Sequence, residues 1–138
     1  MSAELALQGI LVRLWKADAG VGALVGDRIY DQAPANAAFP YVRIDTMQSI
    51  DLDVGCGPQF EIYVDVHTWS RATGFPETYR IITALRDALR TAFATGTLPT
   101  DAGATVFHID HETTRTLRDP DGRTTHGVMT LRAFMSED

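Results

Sequence analysis

The 138-residue sequence has little of several residue types on which common protein functions depend. Its one cysteine, Cys56, excludes an intramolecular disulfide framework and a multi-cysteine zinc site. It contains no run of about 20 apolar residues and no basic, apolar leader, so neither a membrane helix nor a signal peptide is predicted. The expected place of synthesis is therefore the cytoplasm, with no membrane partner.

Basic residues are also scarce. The chain has 12 Lys and Arg residues against 18 Asp and Glu residues, which gives a formal charge of −6. The basic residues are scattered singly along the chain, so no basic patch for tight nucleic-acid binding is predicted. The hydrophobic content of 45% is that of an ordinary globular protein, and the length suits one domain over residues 1–138.

Hydrophobic spacing predicts two amphipathic helices. In residues 3–18, apolar side chains recur every three or four positions, as in one helix stripe. A second helix follows Pro76, keeps the same spacing and ends near Gly96. Glycines 20, 22 and 26 predict a loop after the first helix.

Alternating apolar and polar residues predict the strands. The expected strands cover residues 28–31, 41–50, 59–69, 104–117 and 123–135. The last two flank Asp119-Pro120-Asp121-Gly122, a strong turn signal that predicts a hairpin. The fold class is therefore α+β, with a largely antiparallel sheet of four to five strands in the order α-β-β-β-α-β-β.

No constellation of residues predicts a catalytic, cofactor or metal site. Histidines 67, 108, 111 and 126 form no ordered ligand set, and residues three apart on a strand, such as His108 and His111, point to opposite faces. The turn at Asp119 lacks the later acidic ligands of a calcium loop. Asp51 and Asp53, and likewise Cys56, have no neighbour in sequence that would activate them.

Two aromatic residues fall on the polar face of the strand at 59–69. Tyr63 and Trp69 alternate with Phe60, Ile62, Val64 and Val66, which form the apolar face. An aromatic residue on a polar sheet face is covered either by a helix of the same chain or by another subunit. Packing against the second helix is the favoured expectation, and contact with another subunit stays open.

Several short motifs resemble, in order and spacing, the tail terminator (tail completion) proteins of long-tailed phages and gene transfer agents. They are Arg28-Ile29-Tyr30-Asp31, Phe39-Pro40-Tyr41-Val42, the segment Val64-Asp65-Val66-His67-Thr68-Trp69-Ser70, and a helix ending Leu85-Arg86-Asp87-Ala88-Leu89. The match covers roughly residues 5–95, and the C-terminal hairpin matches only in kind.

The resemblance implies a structural protein without catalytic residues or a cofactor. It implies a homo-oligomer, typically a hexameric ring, that caps the tail tube, stops its polymerisation and joins it to the head connector. Six copies of a chain of charge −6 carry −36, so DNA would pass through an acidic collar. The candidate lumen or interface residues are Asp51, Asp53, Tyr63, Trp69, Asp119 and Asp121.

Two alternatives stay open at this point. The chain could be another part of the same machine, a head-closure adaptor or a tail tube subunit. It could instead be a small cytoplasmic enzyme or ligand-binding domain that uses the face bearing Tyr63, Asp65, His67 and Trp69. A deep pocket converging on that face would favour the enzyme or ligand-binding domain.

Overall fold

The computed structural model describes residues 2–52, 55 and 57–138. Within these residues the fold is α+β, with three helices and five strands. The helices are α1 (Ala3–Ala17), α2 (Ala19–Val25) and α3 (Pro76–Thr95), and the strands are β1 (Ile29–Tyr30), β2 (Tyr41–Asp51), β3 (Gln59–Ser70), β4 (Ala104–Arg118) and β5 (Thr125–Glu137). The predicted fold class is confirmed, with one helix more than expected.

The five strands form one sheet in the order β1-β2-β3-β5-β4. Short β1 runs parallel to β2, and every other neighbouring pair is antiparallel. The predicted C-terminal hairpin forms, and β5 lies between β3 and β4. The residues on β5 therefore neighbour those on β3, although α3 and β4 separate the two strands along the chain.

The segment after α1 is a helix, so the predicted loop is wrong. The Asp18 carboxylate accepts a hydrogen bond from the Val21 N–H at 3.0 Å, and the Asp18 N–H donates to the Trp15 carbonyl. Asp18 thus ends α1 and caps α2. Val21 and Val25 are buried in the core, and this burial outweighs the low helix propensity of two glycines.

All three helices pack on one face of the sheet, which we call the inner face. The core joins buried residues of α1, α2 and α3 to the alternate residues of β3 and β5, among them Val64 and Leu131. Trp15 is fully buried, and its Nε1–H donates to the Leu85 carbonyl of α3 at 3.1 Å. Among the described residues, no helix is long and apolar enough to cross a membrane.

Candidate interaction surface

The opposite face of the sheet, which we call the outer face, carries a row of rings. Tyr41 of β2, Trp69 of β3 and His126 of β5 occupy one register position across the three strands. The Trp69 and His126 rings stack with centroids 3.8 Å apart and planes 10° apart, and Tyr41 lies 6.4 Å from Trp69. We call Tyr41, Trp69 and His126 the aromatic row. All three side chains are half-buried.

Among the residues that the structure describes, no helix covers the aromatic row, so the expected packing of the second helix on Trp69 is wrong. That helix, α3, contacts the inner face, where the Thr78 and Thr125 hydroxyls are 2.9 Å apart. Successive residues of a strand point to opposite faces, so Thr125 faces α3 while His126 faces away. Trp69 is shielded instead by its cross-strand neighbours.

His67 extends the row towards an ion pair. Its Nδ1 is 2.5 Å from His126 Nε2, and its Nε2 is 3.2 Å from the Asp45 carboxylate. Asp45 also pairs with Arg43 at 3.2 Å. The outer face thus carries stacked rings next to the charged side chains of Arg43 and Asp45.

Burial disfavours the protonated form of both imidazoles. Burial, followed by the effect of the neighbouring His67, lowers the pKa of His126 to about 4. Burial also lowers the pKa of His67, against the opposing effect of Asp45. The other charged groups acting on His126 are Asp119, which raises its pKa, and Arg43 and Arg115, which lower it.

We expect the protein to lose stability as the pH falls from about 6.5 towards about 4, because the unfolded chain takes up a proton that folded His126 resists. NMR titration of the ring should give a midpoint well below that of an exposed histidine. Urea unfolding at about pH 7 and pH 5 should show a larger loss in wild type than in His126→Gln. Equal losses in the two proteins would contradict the expectation.

The structure places the predicted site residues at opposite ends of the sheet. Asp51 is exposed at the end of β2, in register with Phe60, which precedes Trp69 by nine residues along β3. At about 3.3 Å per residue, Asp51 is about 30 Å from the aromatic row. Asp119 and Asp121 follow β4 at the end bearing Trp69, while Asp53, like Cys56, lies outside the described residues.

Asp121 has a structural task in the hairpin turn. Its carboxylate accepts hydrogen bonds from the Thr124 hydroxyl and from the backbone N–H groups of Arg123 and Thr124. The hydroxyl contact, followed by the two backbone contacts, lowers the pKa of Asp121 to about 2. Asp119 closes the same turn through its backbone, so the turn interpretation of this motif is confirmed.

Tyr63 lies on the outer face, as predicted, next to Arg132 of β5. The Arg132 guanidinium is 5.9 Å from the Tyr63 ring centre and pairs with Glu61. A depression of about 440 Å³ opens beside Tyr63, and its lining is Thr46, Met47, Gln48, Tyr63, Asp65 and Thr130. His67 and Trp69 do not line it, so this depression does not converge on the full set of residues named for an enzyme or ligand-binding domain.

The remaining histidines do not converge. His108 packs edge-on against Phe93 of α3, and His111 Nε2 is 2.6 Å from the Thr114 hydroxyl. In residues 2–52, 55 and 57–138, no group of three or more His, Cys, Asp or Glu side chains is arranged to hold a metal ion.

The contact between His67 and His126 was not foreseen from the sequence. The alternation within 59–69 places His67 and Trp69 on one face of that strand. The alternation within 123–135 likewise predicts a strand there. Nothing in either pattern shows that β5, rather than β4, pairs with β3. The partner of Trp69 therefore depended on the strand order.

The fold and the aromatic row define a two-layer α+β domain in which, among the described residues, no helix covers one face of the sheet. The family model of the tail completion protein gp17 matches residues 10–136, and the chain belongs to this family. Its fold is similar to that of a chain in the virion of a native gene transfer agent particle, with a TM-score of 0.85, 22% identity and 97% of each chain covered. It is also similar to the bacteriophage SPP1 gp17 protein, with a TM-score of 0.61, 21% identity and coverage of 95% of this chain and 89% of that one. No curated protein matches the sequence.

Proposed function

We propose that the chain is a structural tail terminator of a phage or phage-like particle. It assembles in the bacterial cytoplasm as a homo-oligomeric ring, typically of six copies, at the head-proximal end of the tail. There it caps the tail tube, stops its polymerisation and contacts the head connector. Membership of the tail completion family and the fold shared with a chain of a gene transfer agent virion support this proposal.

The uncovered outer face is the observation that carries the proposal. All three helices pack on the inner face, while Tyr41, Trp69 and His126 remain half-buried without a covering helix. Half-buried aromatic side chains on an open face are typical of protein contact surfaces. A non-enzymatic assembly role uses such a surface directly, whereas catalysis needs a site that converges on a substrate.

The passage of DNA through the ring is part of the same proposal. A ring of chains with charge −6 repels a phosphate backbone, which lets DNA slide without binding. The assignment of Asp51, Asp53, Asp119 and Asp121 to the lumen stays a prediction. Asp121 is the least suited of these, because its carboxylate is engaged in the hairpin turn.

The proposal is tested by adding the purified protein to its co-encoded tail tube subunit during polymerisation and imaging the product by electron microscopy. We expect shorter tubes that carry one extra ring at a single end. Addition after polymerisation is the control, and it should add the ring without changing tube length. Incorporation along the whole tube would identify a tube subunit instead, and unchanged, uncapped tubes would overturn the proposal.

A further inference from the structure

The two ends of the sheet differ in charge. At the end where β5 finishes, which we call the acidic end, the Glu137 carboxylate accepts from the Ala3 N–H at 2.9 Å, and the Asp138 N–H donates to the Gly103 carbonyl. Neighbouring acids at this end are Glu4, whose carboxylate accepts from Ser49, and Asp101, whose carboxylate accepts from Gly103.

The carboxylates of the acidic end have only neutral donors. Glu4, Asp101, Glu137 and Asp138 accept hydrogen bonds from hydroxyl or backbone N–H groups. Among the described residues, no Lys or Arg nitrogen lies within 4.0 Å of these four carboxylates. Within the described residues, these four carboxylates therefore have no Lys or Arg partner in an ion pair.

The opposite end contains an arginine cleft between the loop at 71–75 and the β4–β5 turn. Its volume is about 320 Å³. Its lining includes Arg71, Arg118, Arg123 and Thr124. Three arginines thus line one cavity whose lining contains no Asp or Glu.

Two of the arginines are held in place by aromatic rings. The Arg71 guanidinium lies 4.1 Å from the centre of the Phe39 ring, and its Nε–H donates to the Thr124 hydroxyl at 3.3 Å. The Arg118 guanidinium lies 4.5 Å from the centre of the Phe75 ring. Such stacking orders a guanidinium and leaves its edge free to bind an anion.

The nearby acids form no ion pair with the cleft arginines among the described residues. The Asp121 carboxylate accepts hydrogen bonds from the Thr124 hydroxyl at 2.6 Å and from the backbone N–H groups of Arg123 and Thr124, and it does not line the cleft. The Thr124 hydroxyl in turn accepts from Arg71. Asp119 belongs to the same turn but does not line the cleft. Within the described part of the chain, no carboxylate oxygen lies within 4.0 Å of the Arg71, Arg118 or Arg123 side-chain nitrogens.

We propose that the arginine cleft of one copy binds carboxylates of the acidic end of a second copy. Among the described residues, arginines that form no ion pair lie at one end of the sheet and carboxylates that form no ion pair lie at the other, so two copies are complementary head to tail. A guanidinium binds a carboxylate through two parallel hydrogen bonds, which gives the contact orientation as well as attraction. The inference rests on the proposed ring, because a head-to-tail contact closes into a ring when its rotation divides the circle.

Charge-swap complementation of the chain alone tests the proposal. One variant carries Arg118→Glu and Arg123→Glu, and the other carries Glu4→Arg and Asp138→Arg. In wild type, analytical ultracentrifugation at low ionic strength should show association that weakens as salt is added. Each variant alone should associate at least about tenfold more weakly, because its two ends then carry like charges.

Mixing the two variants should restore association, since each altered end then meets an end of opposite charge. The control variant carries Lys16→Glu and Arg80→Glu at exposed positions outside the cleft lining. It makes the same change of net charge as the Arg118 and Arg123 variant and should associate as wild type does. Circular dichroism checks that every variant is folded.

Several results would overturn the proposal. These are a wild type that stays monomeric at low ionic strength, variants that associate normally, or a mixture that fails to restore association. In the last case the cleft has another anionic partner, such as DNA phosphate or an acidic surface of a different tail protein. The tube protein is absent from this experiment, so failure here is distinguishable from failure to cap tubes.

Discussion

Replacing Trp15 by alanine is expected to lower the free energy of unfolding by about 3–5 kcal/mol. Trp15 is fully buried in the core, and its indole N–H bonds to the Leu85 carbonyl, so it joins α1 to α3. Its removal leaves a large cavity between two helices and the inner face of the sheet. Domains of this size are commonly stable by about 5–15 kcal/mol, so the loss is a substantial part of the total. Urea unfolding followed by circular dichroism measures it.

The second tryptophan provides a matched control. Trp69 lies half-buried on the outer face, where it touches rings of three strands but no helix. Trp69→Ala deletes the same atoms and should cost clearly less stability than Trp15→Ala, because solvent can fill the space. If the two substitutions cost the same, the outer face is more deeply covered than the structure indicates.

Gly127→Ala is expected to destabilise the fold by about 1–3 kcal/mol through overpacking. A Cβ at this position would lie 2.6 Å from the Ile82 Cδ1 and 2.8 Å from the Thr78 Cγ2 of α3. Thr78 has little freedom to move away, since its hydroxyl is 2.9 Å from that of Thr125. Moving α3 outwards would also disturb β5 beside His126. Thermal and urea unfolding measure the change.

Gly22→Ala is the control for Gly127→Ala. Gly22 lies in α2, and a Cβ there would meet no atom within 4 Å. The same added methyl group should raise the free energy of unfolding by about 0.4–1 kcal/mol, because alanine restricts the unfolded chain. A stabilising effect of Gly127→Ala would show that α3 does not approach β5 as closely as described.

These substitutions also separate fold from function in the proposed terminator. Trp15 and Gly127 act on the packing of helices against the inner face, so their variants should lose capping only as far as they unfold. The arginine cleft lies at the surface, and Arg118 and Arg123 are exposed. Variants of these arginines should remain folded while their association changes. A loss of association would therefore not result from unfolding.

The sequence by itself determined the α+β class and most of its elements. The apolar stripes of α1 and α3, the alternation in β3 and the Asp119-Pro120-Asp121-Gly122 turn all depend on residues close together in the chain. Such signals depend on local geometry, so they remain visible without the fold. They placed Tyr63 and Trp69 correctly on the face opposite Val64.

The helix α2 shows where local signals are not sufficient. Two glycines at 20 and 22 favour a loop when propensity alone is considered. Burial of Val21 and Val25 against the rest of the core supplies the stabilisation that propensity does not, and only the tertiary structure shows that burial.

Only the tertiary structure decided what surrounds the candidate surfaces. The placement of β5 beside β3 brings His126 onto Trp69, and neither strand's pattern specifies its partner. The same strand order gathers Arg71, Arg118 and Arg123 around one cleft, although they appear scattered in the sequence. Strand pairing and charge segregation depend on contacts between residues far apart along the chain, which hydrophobic periodicity and turn chemistry do not encode.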